Sequence, residues 1–189
     1  MAPALTLTTL PTWSPARAYD AGVPPAITRQ QLGAWLLKAN PALWDLRGFL
    51  DSGEGRLTSW AVQRNYRSDL MAPGDRALFW VSGSGRDGLF RGIWGAGHIS
   101  AEAEDWVDAE RGFWLDEGGR QAVRRRVQVD ITFLAEPVPA TDLVAHGIID
   151  LEVQRQPFMG NPSWVSHPEL ERLNELLPPW PDPPTANLG

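Results

Sequence analysis

Apolar and polar residues alternate with period two from Val127 to Phe133: Val127, Val129, Ile131 and Phe133 on one face, Gln128, Asp130 and Thr132 on the other. That spacing predicts a half-buried strand. Ala34–Asn40, Asp75–Ser82 and Leu89–Ile99 read as three further strands. The last two are separated by Gly83-Ser84-Gly85-Arg86-Asp87-Gly88, whose Asp-Gly step favours a hairpin turn and hence antiparallel pairing. Asn40-Pro41 offers an N-cap and a first-turn proline to a helix carrying Leu43, Trp44, Leu46, Phe49 and Leu50. Ser166-His167-Pro168-Glu169 has capping-box spacing, and Leu170, Leu173 and Leu177 follow at helical intervals up to Pro178. Strands in the middle and helices towards both ends predict an α+β domain built on a curved, mainly antiparallel sheet with peripheral helices.

Residues 1–32 contain Pro3, Pro11, Pro15, Pro24 and Pro25 and few periodic apolar positions, so an extended or disordered segment is expected there. The folded unit is expected over 33–177, and 178–189 form a Pro-rich, polyproline-like tail. At 189 residues and 20.9 kDa the chain suits one domain. Its apolar runs are too short for a membrane span, and the N-terminus has no basic start followed by an apolar stretch. A cytoplasmic location is the expectation.

Composition removes several chemistries. With no cysteine, the chain has no thiolate nucleophile, disulfide framework or Cys-ligated metal. The net charge of −6 argues against a protein that wraps duplex DNA by neutralising many phosphates. Lys38 is the only lysine, so the basic residues are otherwise arginines, which suit phosphate forks and stacking. Ten tryptophans outnumber six phenylalanines and two tyrosines together, and such a surplus often lines a pocket or interface.

Individual motifs are weaker. Gly83–Gly88 matches GxGxxG literally, but a dinucleotide fingerprint must open a helix, and a strand follows here. His98, His146 and His167 stand far apart, and none belongs to an HxxxH or HExxH pair, so no metal site is expected. No serine sits in a GxSxG elbow, and Asp116-Glu117 and Glu102 with Glu104 read as solvated charge. Arg124-Arg125-Arg126, before the fourth strand, is a candidate phosphate contact together with Arg64; Arg67 and Arg76 join it only if the fold gathers them.

Three segments carry a resemblance: Trp35-Leu36-Leu37-Lys38-Ala39-Asn40-Pro41, Trp60-Ala61-Val62-Gln63-Arg64-Asn65-Tyr66, and Pro73-Gly74-Asp75-Arg76-Ala77-Leu78-Phe79-Trp80-Val81-Ser82-Gly83. Gly92-Ile93-Trp94-Gly95-Ala96-Gly97-His98-Ile99 and Gln156-Pro157-Phe158-Met159-Gly160-Asn161-Pro162 complete the series. In order and spacing they resemble the EVE domain, a PUA-like fold related to the YTH readers of methylated RNA. The resemblance covers about residues 33 to 177 and implies a curved PUA-like β-barrel. It also implies an aromatic pocket that accepts one modified base extruded from nucleic acid.

Similarity to the family makes Trp60 the first choice for a cage wall, with Asn65 reading a base edge. Lys38 and Asn40 share a strand face and supply further polar groups, whereas Trp35 and Leu37 fall on the opposite, core face. Trp80 and Ser82 come next, then Phe158 and Asn161; Trp106 or Trp114 would close the cage. Where YTH readers commonly carry a serine this chain has Ala39, so a methyladenine preference does not carry over.

The leading expectation is a non-catalytic module that binds DNA or RNA through a modified base, with a modified cytosine such as 5-methylcytosine as the base considered first. It needs no cofactor or metal, and the resemblance points to association with restriction or RNA-modification systems. One alternative is a hydrolase of modified nucleosides like the ASCH proteins, although Leu43 and Trp44 stand where their Gly-x-Lys-x-x-Glu-x-Arg pattern would continue after Lys38. Another is an RNA-modification accessory protein that binds RNA shape without reading a modified base, which the acidic balance weakens.

Overall fold

The computed structural model describes residues 26–85, 88–106, 112–115 and 124–183. Among these, six strands are β1 (Leu32–Ala39), β2 (Arg56–Val62), β3 (Arg76–Val81), β4 (Gly92–Trp106), β5 (Arg124–Pro139) and β6 (Ser163–Ser166). Five short helices are α1 (Leu46–Asp51), α2 (Tyr66–Leu70), α3 (Ala140–Ala145), α4 (Glu152–Arg155) and α5 (His167–Asn174). None of the described helices is long and apolar enough to cross a membrane.

The strands form one sheet in the order β2-β5-β4-β3-β1-β6. Every pairing is antiparallel except β1 with β3. The expected α+β class and largely antiparallel sheet are therefore present, but among the described residues the expected barrel does not close: β2 and β6 are the two edges of the sheet. The ends approach all the same, because the Trp60 indole on β2 donates to the Lys38 carbonyl on β1 at 3.1 Å. A side chain spans the place where a barrel would have a ladder.

Both faces of β1 are buried. Trp35, Leu37 and Ala39 join one core with Trp60, Phe79, Val81 and Ile131, while Ala34 and Leu36 join a second with Leu78, Trp80, Ile93 and Leu170. A strand covered on both sides accounts for the unbroken apolar run in the sequence. Close strand contact explains one glycine in β4: a Cβ on Gly97 would run into the Asp130 carbonyl of β5.

Several boundaries differ from those read in the sequence. Asn40 does not cap a helix; its carboxamide oxygen accepts from the Ala42 N–H at 3.0 Å in a local turn. Asp45 caps α1 instead, accepting from the Gly48 N–H at 2.8 Å. Trp44 thus precedes the helix, and its backbone bridges Trp114. The strand read from Leu89 starts at Gly92 and runs to Trp106, and Leu177 lies beyond the end of α5. The Ser166 capping box is formed, with Glu169 as its reciprocal partner. Asp87 of the hairpin falls outside the described residues, and so do residues 1–25.

At the N-terminal side the packed unit begins ahead of Gly33. Ile27 is buried, and Arg29 forms a two-pronged ion pair with Asp75, both contacts at 2.6 Å. Asp75 also accepts from the Trp35 indole at 2.9 Å. At the other end Trp180 packs on the second core and donates to Asn174 at 2.8 Å, so the start of the Pro-rich tail is fixed to the domain.

Candidate functional site

A pocket of about 810 Å³ opens where the C-terminal ends of β1, β2 and β3 meet the loop between α4 and β6. Its size falls within the roughly 300–1,000 Å³ usual for ligand sites. Lys38, Asn40, Trp60, Trp80, Ser82, Phe158 and Asn161 all line it, although they are as far apart in sequence as β1 and the loop before β6. The parallel β1–β3 pairing explains part of this: register Lys38↔Trp80 and Ala39↔Val81 brings the two strand ends out together, and the Ser82 N–H donates to the Ala39 carbonyl at 2.8 Å.

Trp60 lines the pocket but is anchored in the core. It is 6% exposed and stands edge-on to Phe79 and Trp44, with ring centres 4.9 and 5.0 Å away. Trp44 continues the stack towards Phe49 and Phe113. Trp44 and Trp114 line the pocket as well, and the same three indoles also line a smaller cavity of about 170 Å³. Trp44 was missed as a pocket residue because the sequence assigns it to a helix face; Asp45-x-x-Gly48 read as the cap would have placed it in the preceding turn. Of the two candidates for closing the cage, the structure places Trp114 at the pocket. Trp106 is 41% exposed at the end of β4, beside the Arg126 guanidinium, and is not a lining residue.

Two expected edge readers are committed elsewhere. Asn65 does not line the pocket; its side-chain oxygen caps α2, accepting from the Arg67 and Ser68 N–H groups. Asn161 does line it, but its carboxamide is fixed to the Lys38 backbone, Oδ1 accepting from the N–H at 2.6 Å and Nδ2 donating to the carbonyl at 2.9 Å. The Lys38 ammonium donates to the carbonyls of Pro157 and Met159, tying down the same loop. Burial holds its pKa below the ordinary lysine value, against the opposing pull of Glu152, while the Arg67 charge adds to the lowering.

Beneath the loop, Arg67 and Glu152 form a largely buried two-pronged ion pair, with both contacts at 2.8 Å and side chains 13% and 8% exposed. Arg67 also donates to the Pro162 carbonyl at 3.2 Å, and Glu152 accepts from the Trp164 N–H at 3.2 Å. The Glu152 carboxylate is thus held by neighbours and does not line the pocket.

Around the opening the charges are mostly positive. Lys38, Arg64, Arg91 and Arg125 are lining residues against one carboxylate, Asp105, in a chain of net charge −6. Arg64 pairs with Asp105, and Arg125 with Asp69 at 2.7 Å. Of the expected phosphate contacts, Arg64 and Arg125 therefore reach the site and Arg126 lies beside Trp106. The Arg124 side chain lies outside the described residues. Arg91 was not anticipated; it precedes β4 and is exposed.

A sequence model described as the EVE domain matches residues 33–168. The fold is similar to a crystal structure of a protein from Pseudomonas putida, at a TM-score of 0.51 and 18% identity, covering 76% of this chain and 98% of that one. It is also similar to an NMR structure of a protein from Rhodopseudomonas palustris (TM-score 0.49, 22% identity, 78% and 97% coverage). A third similar structure is the DUF55 domain of human thymocyte nuclear protein 1 (TM-score 0.49, 17% identity, 76% and 97% coverage). No curated protein matches the chain.

Proposed function

The chain belongs to the EVE-domain family, and on that premise we propose that it is a non-catalytic module whose pocket receives one modified base of a nucleic acid. One observation carries the reading: the lining of an indole-containing pocket includes four cationic side chains, two of them ion-paired, and one carboxylate, in a protein that is acidic as a whole. Rings suit a base, since stacking on one aromatic side chain contributes about 1–3 kcal/mol whatever the base. Cations suit the phosphates on either side of it. A buried methyl adds only about 0.8 kcal/mol, so the rings supply the affinity and the fit around the modification supplies the preference.

Trp114 is the ring best placed to stack, because it lines the pocket and is only partly buried. Trp60 and Trp44 support it from the core. Ser82, Gln63 and the Nδ2 of Asn40 are polar side-chain groups placed to meet a base edge, given that Lys38 and Asn161 hold the loop and the Asn40 Oδ1 accepts from Ala42. A modified cytosine remains the base to try first.

Titration of matched oligonucleotides with and without 5-methylcytosine tests the proposal. Tighter binding of the modified strand, weakened in Trp114→Ala, is the expected result. Equal affinities in the wild type, unchanged by Trp114→Ala, would refute it. Release of product from free modified cytidines, followed by chromatography, would instead favour a hydrolase.

A further inference from the structure

Phe158 is 100% exposed, so its ring packs against none of the described residues. The loop that carries it is nevertheless fastened on both sides. Lys38 holds the carbonyls of Pro157 and Met159, and Asn161 holds the Lys38 backbone. The Asn161 carbonyl in turn accepts from the Gln63 N–H at 2.9 Å. What sets this ring apart from other exposed apolar side chains is its place: it borders the pocket on a loop tethered through both of its neighbours, where a ligand entering the pocket would meet it.

Resting on the reading of the pocket as a seat for an extruded base, we propose that Phe158 is a wedge that enters the base stack where the extruded base has left it, and that the target is therefore a duplex. Removing a base from a duplex opens a gap between its neighbours and leaves its partner unopposed. Apolar side chains filling such gaps are a general device of proteins that unstack nucleic acid. Phe158 borders the pocket but its ring is fully exposed, whereas the buried wall rings, such as Trp60 and Trp44, pack against one another. A single strand can present a base without creating a gap, so it has less use for a protruding ring. Arg64, Arg91 and Arg125 lie around the same opening, placed to hold the phosphates beside the wedge.

The experiment compares wild type and Phe158→Ala on free 5-methyl-2′-deoxycytidine, on a single strand containing it, and on the matching DNA and RNA duplexes with 2-aminopurine beside the modified base. The full exposure of the ring makes an unchanged thermal midpoint the control for folding. Affinity for at least one duplex should fall about tenfold or more in the variant, in line with the loss of one stacked contact. The change in 2-aminopurine fluorescence on binding should shrink with it, and the loss on the duplex should clearly exceed any loss on the nucleoside or the single strand, for which Phe158 serves only as one of the residues lining the pocket. Equal duplex affinity and equal fluorescence change in the two proteins would overturn the wedge, as would an equal loss on all probes, which would make Phe158 a pocket wall. Failure of the wild type to favour the modified base on any probe would overturn the underlying base-pocket reading instead.

Discussion

The carboxamide of Asn161 holds both backbone polar groups of Lys38, accepting from its N–H at 2.6 Å and donating to its carbonyl at 2.9 Å. β6 pairs with β1 only as far as Leu36, so one side chain takes over the work of a neighbouring strand at the next outward-facing residue. Each such bond contributes about 1 kcal/mol net, and an orphaned buried group costs about 1–3 kcal/mol. Asn161→Ala should therefore destabilise the domain by about 2 kcal/mol in urea denaturation. Asn161→Asp, which keeps the acceptor but cannot donate when ionised, should fall short of full recovery.

Trp60 and Trp114 should separate stability from binding. Trp60 packs edge-on to Phe79 and Trp44, and truncating a core tryptophan costs about 3–5 kcal/mol. Trp60→Ala should therefore lower the denaturation midpoint strongly and make any binding loss uninformative. Trp114→Ala should weaken binding to a modified oligonucleotide by about 1–3 kcal/mol with a smaller effect on stability. Paired denaturation and titration curves for the two variants check this.

The Arg67–Glu152 pair beneath the loop has a distinct signature. Removing one partner leaves a buried charge unmatched, a loss of about 3–5 kcal/mol, whereas replacing both by apolar residues is often far milder. Glu152→Leu alone should be more destabilising than Arg67→Met with Glu152→Leu together. A double-mutant cycle by chemical denaturation measures the difference.

His98 sets a pH dependence. It is buried on β4 with Nδ1 unpartnered, beside Arg76 and Asp130 and against the Trp180 ring. Burial lowers its pKa below the ordinary 6.5, Arg76 adds to the lowering, and Asp130 opposes it. As pH falls below about 6.5 the unfolded chain takes up the proton before the folded one does, so stability declines towards the folded pKa. His98→Gln should flatten that slope between pH 7 and 5 in thermal unfolding curves.

Four of the six described strands were legible in the sequence because they are written in local apolar pattern, whereas β2, whose pairing is interrupted between Leu57 and Ser59, and the four-residue β6 were not read as strands. Val127–Phe133 alternates as a half-buried strand must, and Ser166-x-x-Glu169 shows a helix start directly. Barrel closure was not legible, since it depends on whether β2 reaches a partner across the sheet, a long-range matter that Trp60 settles with one hydrogen bond. The site was half legible. Motif order singled out Trp60, Lys38 and Asn161, yet residue type alone did not show that the polar groups of Lys38 and Asn161 are spent on each other and on the loop. Asn65 illustrates the same point, since a carboxamide placed before a short helix serves as well for a cap as for recognition.

Salt titration addresses the cations at the opening. Each phosphate contact adds about 0.7–0.9 to the slope of log affinity against log salt. Arg91→Ala should reduce the slope by about that amount for modified and unmodified strands alike, while leaving their ratio unchanged.

The tethers at Lys38 and Asn161 divide the loop before β6 into a rigid chassis and an interchangeable tip. Variation at position 158 can alter which partner is engaged without loosening the scaffold, whereas variation at 38 or 161 unsettles both at once. Libraries aimed at new selectivity in this protein are best diversified at the tip, with the two anchors left as they stand.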